Sequence, residues 1–423
     1  MDLRTPKNKT RLLKIYKLLI LFFILVLILS PKSVTNRPEI ETKLLLTSIG
    51  LDKVEDQYLI SATAVMPQES QNGSTMRLNV GAEADSVSAA FEKLSLKMGK
   101  KLELGLCGLI VIGDTFGDES ILPHLNYLMA SGKIIPGAYL VLSPGKSAKE
   151  AIEMSNRLSE ASSNGLSKLI EHNALDTNMP AITLLQFLSE TGSVTKSSYI
   201  PCIEIGEKEN SDDETGGSGS GSGGSSDSSG SGGGDSTSAG EQKSGETEIK
   251  SLSKIAFYRD GQQIRFLSDE ETRGFTWADK TSTQGLVSLE NLKVQDIEAG
   301  QIFCQLRAKK FKLKTSLSNG FPEARMFVEV LLELEDRYKL SDLFKYYGIS
   351  EEEITENIQN QFAVKIENEL VSIIDVMKEC DCDAMGLTTN LYKFHFKDYK
   401  NYADKENILS AMKVDYDIKV KFK

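Results

Sequence analysis

Residues 350–377 have the sequence SEEEITENIQNQFAVKIENELVSIIDVM. Apolar residues recur in it every three or four positions, which is the spacing of one face of an α-helix. Ser350 and Glu353 are predicted to cap its start. We predict a long helix whose apolar stripe packs against a sheet, with docking of a partner protein on that stripe as the alternative. The stripe comprises Ile354, Ile358, Phe362, Ile366, Leu370, Ile373 and Met377.

The sequence around this helix favours β-strands. Residues 254–267 carry Asp260-Gly261 at their centre, a pair that suits a tight turn with positive φ, so we predict a hairpin there. The box Ser268-Asp-Glu-Glu271 then opens a short helix that runs into residue 273 or 274. Further strands are predicted at 301–313, 325–334 and 414–422, and a second helix at 399–412.

A low-complexity tract interrupts the chain at residues 207–248. It consists mainly of Gly, Ser, Asp and Glu and has almost no apolar side chains. Such a composition cannot bury enough surface to offset the entropy lost on ordering. We therefore predict a flexible linker or loop, which separates a first domain, 38–206, from a second, 249–423.

The first domain alternates strand and helix patterns. Residues 43–51 and 57–66 are apolar and β-favouring and flank a polar turn at 52–56, which predicts a hairpin. Helices are predicted at 86–98, 119–131, from 147, at 164–172 and at 183–191, and strands at 106–112, 138–142 and 199–205. This order is typical of an α+β or α/β layer domain.

Residues 1–37 join a basic stretch to an uninterrupted apolar run, Leu18 to Leu29. With the apolar residues before it, the run reaches the ~20 residues of a bilayer-spanning helix, and its basic flank predicts a cytoplasmic N-terminus. It lacks a small-residue cleavage site, so we predict a retained transmembrane helix rather than a signal peptide. The predicted anchor residues are Leu18, Ile20, Phe22, Phe23, Leu25 and Leu29.

The exported body is strongly acidic. Residues 1–37 hold eight of the 49 basic and one of the 60 acidic residues, so the remainder carries a net charge of −18. Nucleic acid and anionic lipid headgroups require positive surfaces, so we expect no nucleic-acid partner.

The cysteines and histidines predict neither a disulfide framework nor a metal site. The five cysteines are Cys107, Cys202, Cys304, Cys380 and Cys382. Their odd number does not suggest a framework. The spacing of the last two differs from that of a zinc pair, and the three histidines lie far apart in sequence. We expect no metal and no cofactor.

Three separated motifs resemble the Ger(x)C family, the C subunits of bacterial spore germinant receptors. The first is Ile49-Gly-Leu-Asp-Lys53, the second combines the 254–267 hairpin with a Glu-Glu-Thr-x-Gly-x-x-Trp segment ending at residue 277, and the third is Asp383-Ala-Met-Gly-Leu387. We expect structural roles for the motif residues: Gly50 and Gly261 in turns, Thr272 and Gly274 at the end of a helix, and Trp277 in the core. The other motif residues, for which a structural role is also expected, are Asp52, Glu271, Asp383 and Gly386.

The resemblance implies a non-catalytic subunit on the outer face of the spore inner membrane, assembled with integral membrane A- and B-type subunits. The family's lipid-carrying cysteine is absent, and Thr35-Asn36 stands near its expected place. The apolar helix would then replace the lipid anchor. The implied fold is α+β: a multi-domain exported body of mixed sheets packed with helices, preceded by one N-terminal transmembrane helix.

Two other function classes remain open at this point. One is a membrane-anchored cell-wall hydrolase that uses two of the many carboxylates. The other is a membrane-anchored solute-binding protein whose lobes flank the tract, although such lobes are usually joined by short ordered crossings. The sequence contains no G-x-S-x-G, H-E-x-x-H or P-loop motif. A pocket lined by carboxyls with perturbed pKa values would favour these classes.

Overall fold

The computed structural model describes residues 14–24, 42–67, 75–159, 170, 180–207, 247–251, 254–295, 297–335, 347–402 and 408–423. The fold is mixed α+β. The predicted helix at 164–172, except residue 170, and the part of the predicted linker at 208–246 lie outside the described residues.

A mixed sheet forms the centre of the first half. Strand β1 pairs antiparallel with β2 and parallel with β4 and β5, and the sheet order is β3-β2-β1-β5-β6-β7. The strands are β1 (Lys43–Val54), β2 (Gln57–Pro67), β3 (Thr75–Ala84), β4 (Lys101–Glu103), β5 (Leu109–Gly113), β6 (Tyr139–Ser143) and β7 (Ile182–Thr183). The helices are α1 (Val87–Met98), α2 (Leu122–Ala130), α3 (Ala148–Ser159) and α4 (Leu184–Thr191).

Helices cover both faces of this sheet. Along β5, Ile110 and Ile112 join the main core with α1 and α2, whereas Leu109 and Val111 pack in a smaller core with α3. All five residues of β5 are buried, as expected of a parallel strand with helices on both sides.

The strands on either side of the tract pair with one another. β8 (Ser197–Pro201) lies antiparallel to β11 (Ile255–Arg259), which forms a hairpin with β12 (Gln262–Phe266). β9 (Glu204–Glu207) also lies antiparallel to β10 (Thr247–Ser251). The two halves are therefore linked by backbone hydrogen bonds as well as by the tract. The division into domains 38–206 and 249–423 stays a prediction.

A second mixed sheet, in the order β13-β14-β15-β16, forms the remainder of the second half. Its last strand, β16, lies parallel to β15. The strands are β13 (Gly285–Val294), β14 (Ile297–Ser318), β15 (Phe321–Leu334) and β16 (Lys413–Phe422). The helices are α5 (Asp269–Ala278), α6 (Glu351–Glu379), α7 (Leu387–Phe394), α8 (Phe396–Asn401) and α9 (Ile408–Ala411).

Helix α6 confirms the long helix predicted from its apolar spacing. The Ser350 hydroxyl accepts a hydrogen bond from the Glu353 N–H, and every residue of the predicted stripe is buried. The helix packs against α5, β13 and β16. The stripe therefore lies in the protein's own core, and the alternative that it docks a partner is wrong.

Four local predictions need correction. The polar turn is shorter than predicted, because Asp52 belongs to β1 and only residues 55–56 form the turn. Helix α2 begins at Leu122 rather than 119, since the Ser120 hydroxyl and the Ile121 N–H are hydrogen-bonded to the turn of the β11–β12 hairpin. Helix α5 continues to Ala278 instead of ending at 273 or 274. The single helix predicted at 399–412 is replaced by α8 and α9, with residues 403–407 outside the described part.

At the N-terminus, residues 14–24 are helical and the rest of the predicted anchor lies outside the described residues. Within the described part of the chain, no helix is both long and apolar enough to cross a membrane. The apolar side chains from Ile15 to Ile24 are exposed by 46–72%.

Candidate functional site

The first motif lies where β1 meets helix α3. The Asp52 carboxylate accepts hydrogen bonds from the backbone N–H groups of Ala148 at 2.8 Å and Lys149 at 3.1 Å. It therefore satisfies two of the free N–H groups at the start of α3. Burial raises the pKa of Asp52, and these two hydrogen bonds oppose the rise.

Gly50 provides the space for this contact. A Cβ at Gly50 would overlap the Ser61 hydroxyl and lie 2.9 Å from the Cβ of Ala148. The sequence-based view of Gly50 as a turn residue is wrong, because it lies within β1. A close strand-to-helix approach requires glycine here, not a special φ.

This edge of the sheet is a common place for ligands in other proteins. In open α/β sheets, ligands bind beyond the carboxyl ends of parallel strands, often at a helix N-terminus. Here Asp52 occupies the N-terminus of α3, and the nearby Asp114 carboxylate accepts the Gly145 N–H at 2.8 Å. The chain's own carboxylates thus take the positions that a bound anion would use.

The second motif begins at the β11–β12 hairpin, residues 255–266, which we call the junction hairpin. Its turn has positive φ at Asp260 (51°) and Gly261 (77°), as predicted. The Gly261 carbonyl accepts the Ile121 N–H at 2.9 Å, and the Ser120 hydroxyl donates to the Asp260 carbonyl at 2.7 Å. The turn is therefore docked on the first half of the chain, just before α2.

The junction hairpin also contacts the loop between α6 and α7. Arg259 forms an ion pair with Asp381 at 2.5 Å, and the Cys382 thiol donates to the Tyr258 carbonyl at 3.5 Å. The hairpin thus connects the first half of the chain to the loop that follows α6 in the second half. Sequence reasoning missed this role, since pairing across the tract leaves no local signal.

Helices α5 and α6 cross closely at Gly274. A Cβ there would overlap the Glu369 carbonyl oxygen and lie 3.2 Å from the Cβ of Ile373. Gly274 and Thr272 are buried inside α5 and do not end it. The earlier interpretation of both as helix-end residues is therefore wrong, and Gly274 is required by the helix crossing.

A buried carboxylate lies at the same crossing. Glu369 is only 3% exposed and accepts hydrogen bonds from the Trp277 indole N–H at 2.6 Å and the Arg273 guanidinium at 3.4 Å. Glu369 was not among the residues for which the sequence predicted a role. Its position, three residues after Ile366 and four before Ile373, did place it on the buried face of α6.

Polar groups fix both ends of α5. Ser268 and Glu271 form the predicted capping box at its start, and Glu271 also pairs with Arg265 at 2.9 Å. At its end, the buried Lys309 ammonium donates to the Thr276 carbonyl. Burial lowers the pKa of Lys309 to about 8.

The third motif caps helix α7. The buried Asp383 carboxylate accepts the N–H groups of Leu387 at 2.7 Å and Thr388 at 2.8 Å. Gly386 precedes the helix with a φ of 74°, which favours glycine. Burial raises the pKa of Asp383 to about 7.

The motif residues therefore lie in separate contacts between elements and do not line one pocket. They cap helices, allow close approach of the backbone, or hold the junction hairpin. That their role is structural stays a prediction.

A cleft with a volume of about 850 Å³ lies elsewhere, between α1, α3 and the β2–β3 strands. Its lining includes Leu59, Val80, Leu96 and Ile152. The carboxyls whose pKa is raised by desolvation, namely Asp52, Glu190 and Asp383, do not line it. Among the described residues, no cluster of His, Cys, Asp or Glu could hold a metal ion.

Comparison with known proteins gives the following similarities. The profile of the spore germination protein N-terminal domain matches residues 36–205, and that of the spore germination B3/GerAC-like C-terminal domain matches residues 253–423. No curated protein matches significantly. The solved crystal structure of the GerBC protein is 16% identical, with a TM-score of 0.48, over 88% of this chain and 96% of that chain.

Proposed function

We propose a receptor-subunit function for this chain, which belongs to the Ger(x)C family of spore germination proteins. Its family membership gives it a role in spore germination. In our proposal it is a non-catalytic, membrane-anchored subunit of a germinant receptor, and it acts by assembly with integral membrane A- and B-type subunits.

One observation carries this proposal: both halves of the body match the family, in order, and only residues 206–252 between them are unmatched. This gap nearly coincides with the low-complexity tract. The chain therefore matches both regions of the family, with the tract between them.

The use of the buried carboxyls supports a non-catalytic role. Asp52 and Asp383 each accept two backbone N–H groups at the start of a helix. Glu369 is held by Trp277 and Arg273. Carboxyls that satisfy backbone and indole N–H groups in the interior stabilise the fold, whereas an acid or base must reach a substrate.

The N-terminal segment supports anchoring. Residues 14–24 are helical, and large apolar side chains such as Phe22 and Phe23 are more than 60% exposed. Such a surface is stable only in an apolar environment, which a bilayer provides. We propose that residues 18–29 remain in the membrane, with the acidic body on the outer side.

The test is complementation of spores that lack the gene. Deletion should abolish the response to one nutrient class while spores still form normally. The wild-type chain should restore germination and copurify with integral membrane subunits from solubilised spore membranes. The double variant Phe22→Lys, Leu25→Lys should do neither, because each charge costs about 3 kcal/mol at the bilayer centre.

The matched control is Phe22→Leu, Leu25→Phe, which keeps the segment apolar and should restore germination fully. A wild-type chain that copurifies with no membrane subunit would contradict the assembly role. Wall hydrolysis that disappears with one carboxylate, or tight nutrient binding by the isolated chain, would instead favour the hydrolase or the solute-binding alternative.

A further inference from the structure

Two cysteines lie together in the loop after α6. Cys380 ends the helix and is half-buried, whereas Cys382 is fully buried, and both are free thiols. The Cys380 thiol donates to the Met377 carbonyl at 3.8 Å, and the Cys382 thiol donates to the Tyr258 carbonyl at 3.5 Å. The loop is therefore a vicinal dithiol with one accessible and one inaccessible sulfur.

The backbone holds the two residues at a separation suited to a disulfide. The Cys382 N–H bonds to the Met377 carbonyl at 2.9 Å and the Asp381 N–H to the Lys378 carbonyl at 3.4 Å, which is the hydrogen-bond pattern of a Schellman helix end. Asp381 has a φ of 48° and so lies in the left-handed region. Helical geometry of either hand places residues i and i+2 about 5.4 Å apart between Cα atoms. Disulfides need about 4.4–6.8 Å.

The surroundings make the two sulfurs unequal. The neighbouring Cys382 thiol, together with the nearby Arg265 charge, lowers the pKa of Cys380. The pKa of Cys382 is raised by the neighbouring Cys380 thiol and by burial. A partly exposed thiol of lowered pKa next to a buried thiol is the arrangement of an attacking and a resolving cysteine.

We propose that Cys380 and Cys382 form a reversible redox-active dithiol, a modification site on the exported body that is oxidised by thiol–disulfide exchange. The Cys380 thiolate attacks a disulfide oxidant, forms a mixed disulfide and releases one thiolate. Cys382 then loses its proton, attacks the Cys380 sulfur and expels the second thiolate. The chain gains one disulfide, and the oxidant leaves as two thiols that take up the two protons.

Oxidation would change the contacts of the junction hairpin. The Cys382 thiol would lose the proton that it donates to the Tyr258 carbonyl. The intervening Asp381 pairs with Arg259 of the same hairpin, and the next residue, Asp383, caps α7. The redox state of the dithiol is therefore coupled to the contact between the two halves and to the start of α7.

The experiment treats the folded full-length chain in detergent with glutathione disulfide, then blocks the remaining thiols with iodoacetamide and digests with trypsin. Cleavage after Lys378 and Lys393 places both cysteines in one peptide. We expect this peptide to be two hydrogen atoms lighter than the reduced peptide and to carry no alkyl group. After dithiothreitol and a second treatment with iodoacetamide, it should carry two alkyl groups. The buried Cys107, Cys202 and Cys304 serve as internal controls that stay reduced.

Two matched variants separate the roles of the sulfurs. Cys382→Ser should accumulate a stable glutathione adduct on Cys380, because the resolving thiol is missing. Cys380→Ser should leave Cys382 unmodified. An unchanged wild-type peptide, or a wild-type chain that keeps a glutathione adduct on Cys380, would overturn the proposal. The wild-type result decides the question even if a variant does not fold.

Discussion

Replacement of Gly274 by alanine tests the close crossing of α5 and α6. In a helix interior without contacts, Gly→Ala stabilises a protein by roughly 0.5–1 kcal/mol. Here the new Cβ would overlap the Glu369 carbonyl oxygen and lie 3.0 Å from the carbonyl carbon. Carbon contacts prefer about 3.5–4.0 Å, so the helices must separate by several tenths of an ångström. A backbone carbonyl cannot rotate away as a side chain can.

Overpacking of this kind costs about 1–3 kcal/mol. The middle of this range less the middle of the helix-propensity gain leaves a decrease of about 1 kcal/mol in the free energy of unfolding for Gly274→Ala. Urea unfolding followed by the fluorescence of Trp277, the chain's one tryptophan, measures this directly. Glu270→Ala, on the exposed side of the same helix, is the control and should change stability by no more than about 0.5 kcal/mol. A Gly274→Ala chain as stable as the wild type would refute the close crossing.

Three further predictions concern other contacts. Because the pKa of Asp383 is raised to about 7 in the folded chain, its contribution to stability is present below pH ~4 and is lost as the pH rises to about 7. Urea unfolding between these pH values should show this loss, and Asp383→Asn should reduce it. If the free energy of unfolding changed with pH equally in both chains, the raised pKa of Asp383 would be contradicted. Deletion of residues 216–240 should change the melting temperature little, because loop-closure entropy varies slowly with length. A large decrease would mean that the tract is part of a folded unit. Gly261→Ala should speed hydrogen exchange at the Ile121 N–H, since the new Cβ would overlap Leu122; unchanged exchange would argue against docking of the turn on α2.

Much of the local structure could be predicted from the sequence because its signals are local. The spacing of apolar residues predicted α6 almost to its ends, and the Ser350 hydroxyl accepts a hydrogen bond from the Glu353 N–H, as expected of a residue that caps the helix. Asp260-Gly261 predicted the hairpin and its positive φ. In each case the residues that carry the signal lie within a few positions of one another.

The contacts that connect the two halves could not be predicted in this way. Pairing of β8 with β11 joins strands on opposite sides of a long tract, and no residue in either strand indicates its partner. Asp52 was assigned to a turn for a similar reason. An aspartate next to Lys53 and Glu55 suggests a polar loop, and only its distant partner, the start of α3, explains why it is buried in a strand.

The motif residues show the same difference between local signals, which the sequence carries, and contacts with distant elements, which it does not. Sequence resemblance selected Gly50, Gly274 and Asp383, but spacing could not show that each serves a contact with a distant element. Glu369 was overlooked because a carboxylate in an apolar stripe was not considered as a partner for Trp277. Its position in the helical repeat was nevertheless a usable signal.

Pairing across the tract means that covalent continuity there is not needed to hold the protein together. A single backbone cut between residues 208 and 246 would leave two fragments. They would share the β8–β11 ladder, the β9–β10 ladder and a core that contains residues from both sides, such as Ile200 and Phe257. Proteolytic nicking should therefore leave a native complex that separates only in denaturant. Two separately produced fragments should likewise reassemble by complementation.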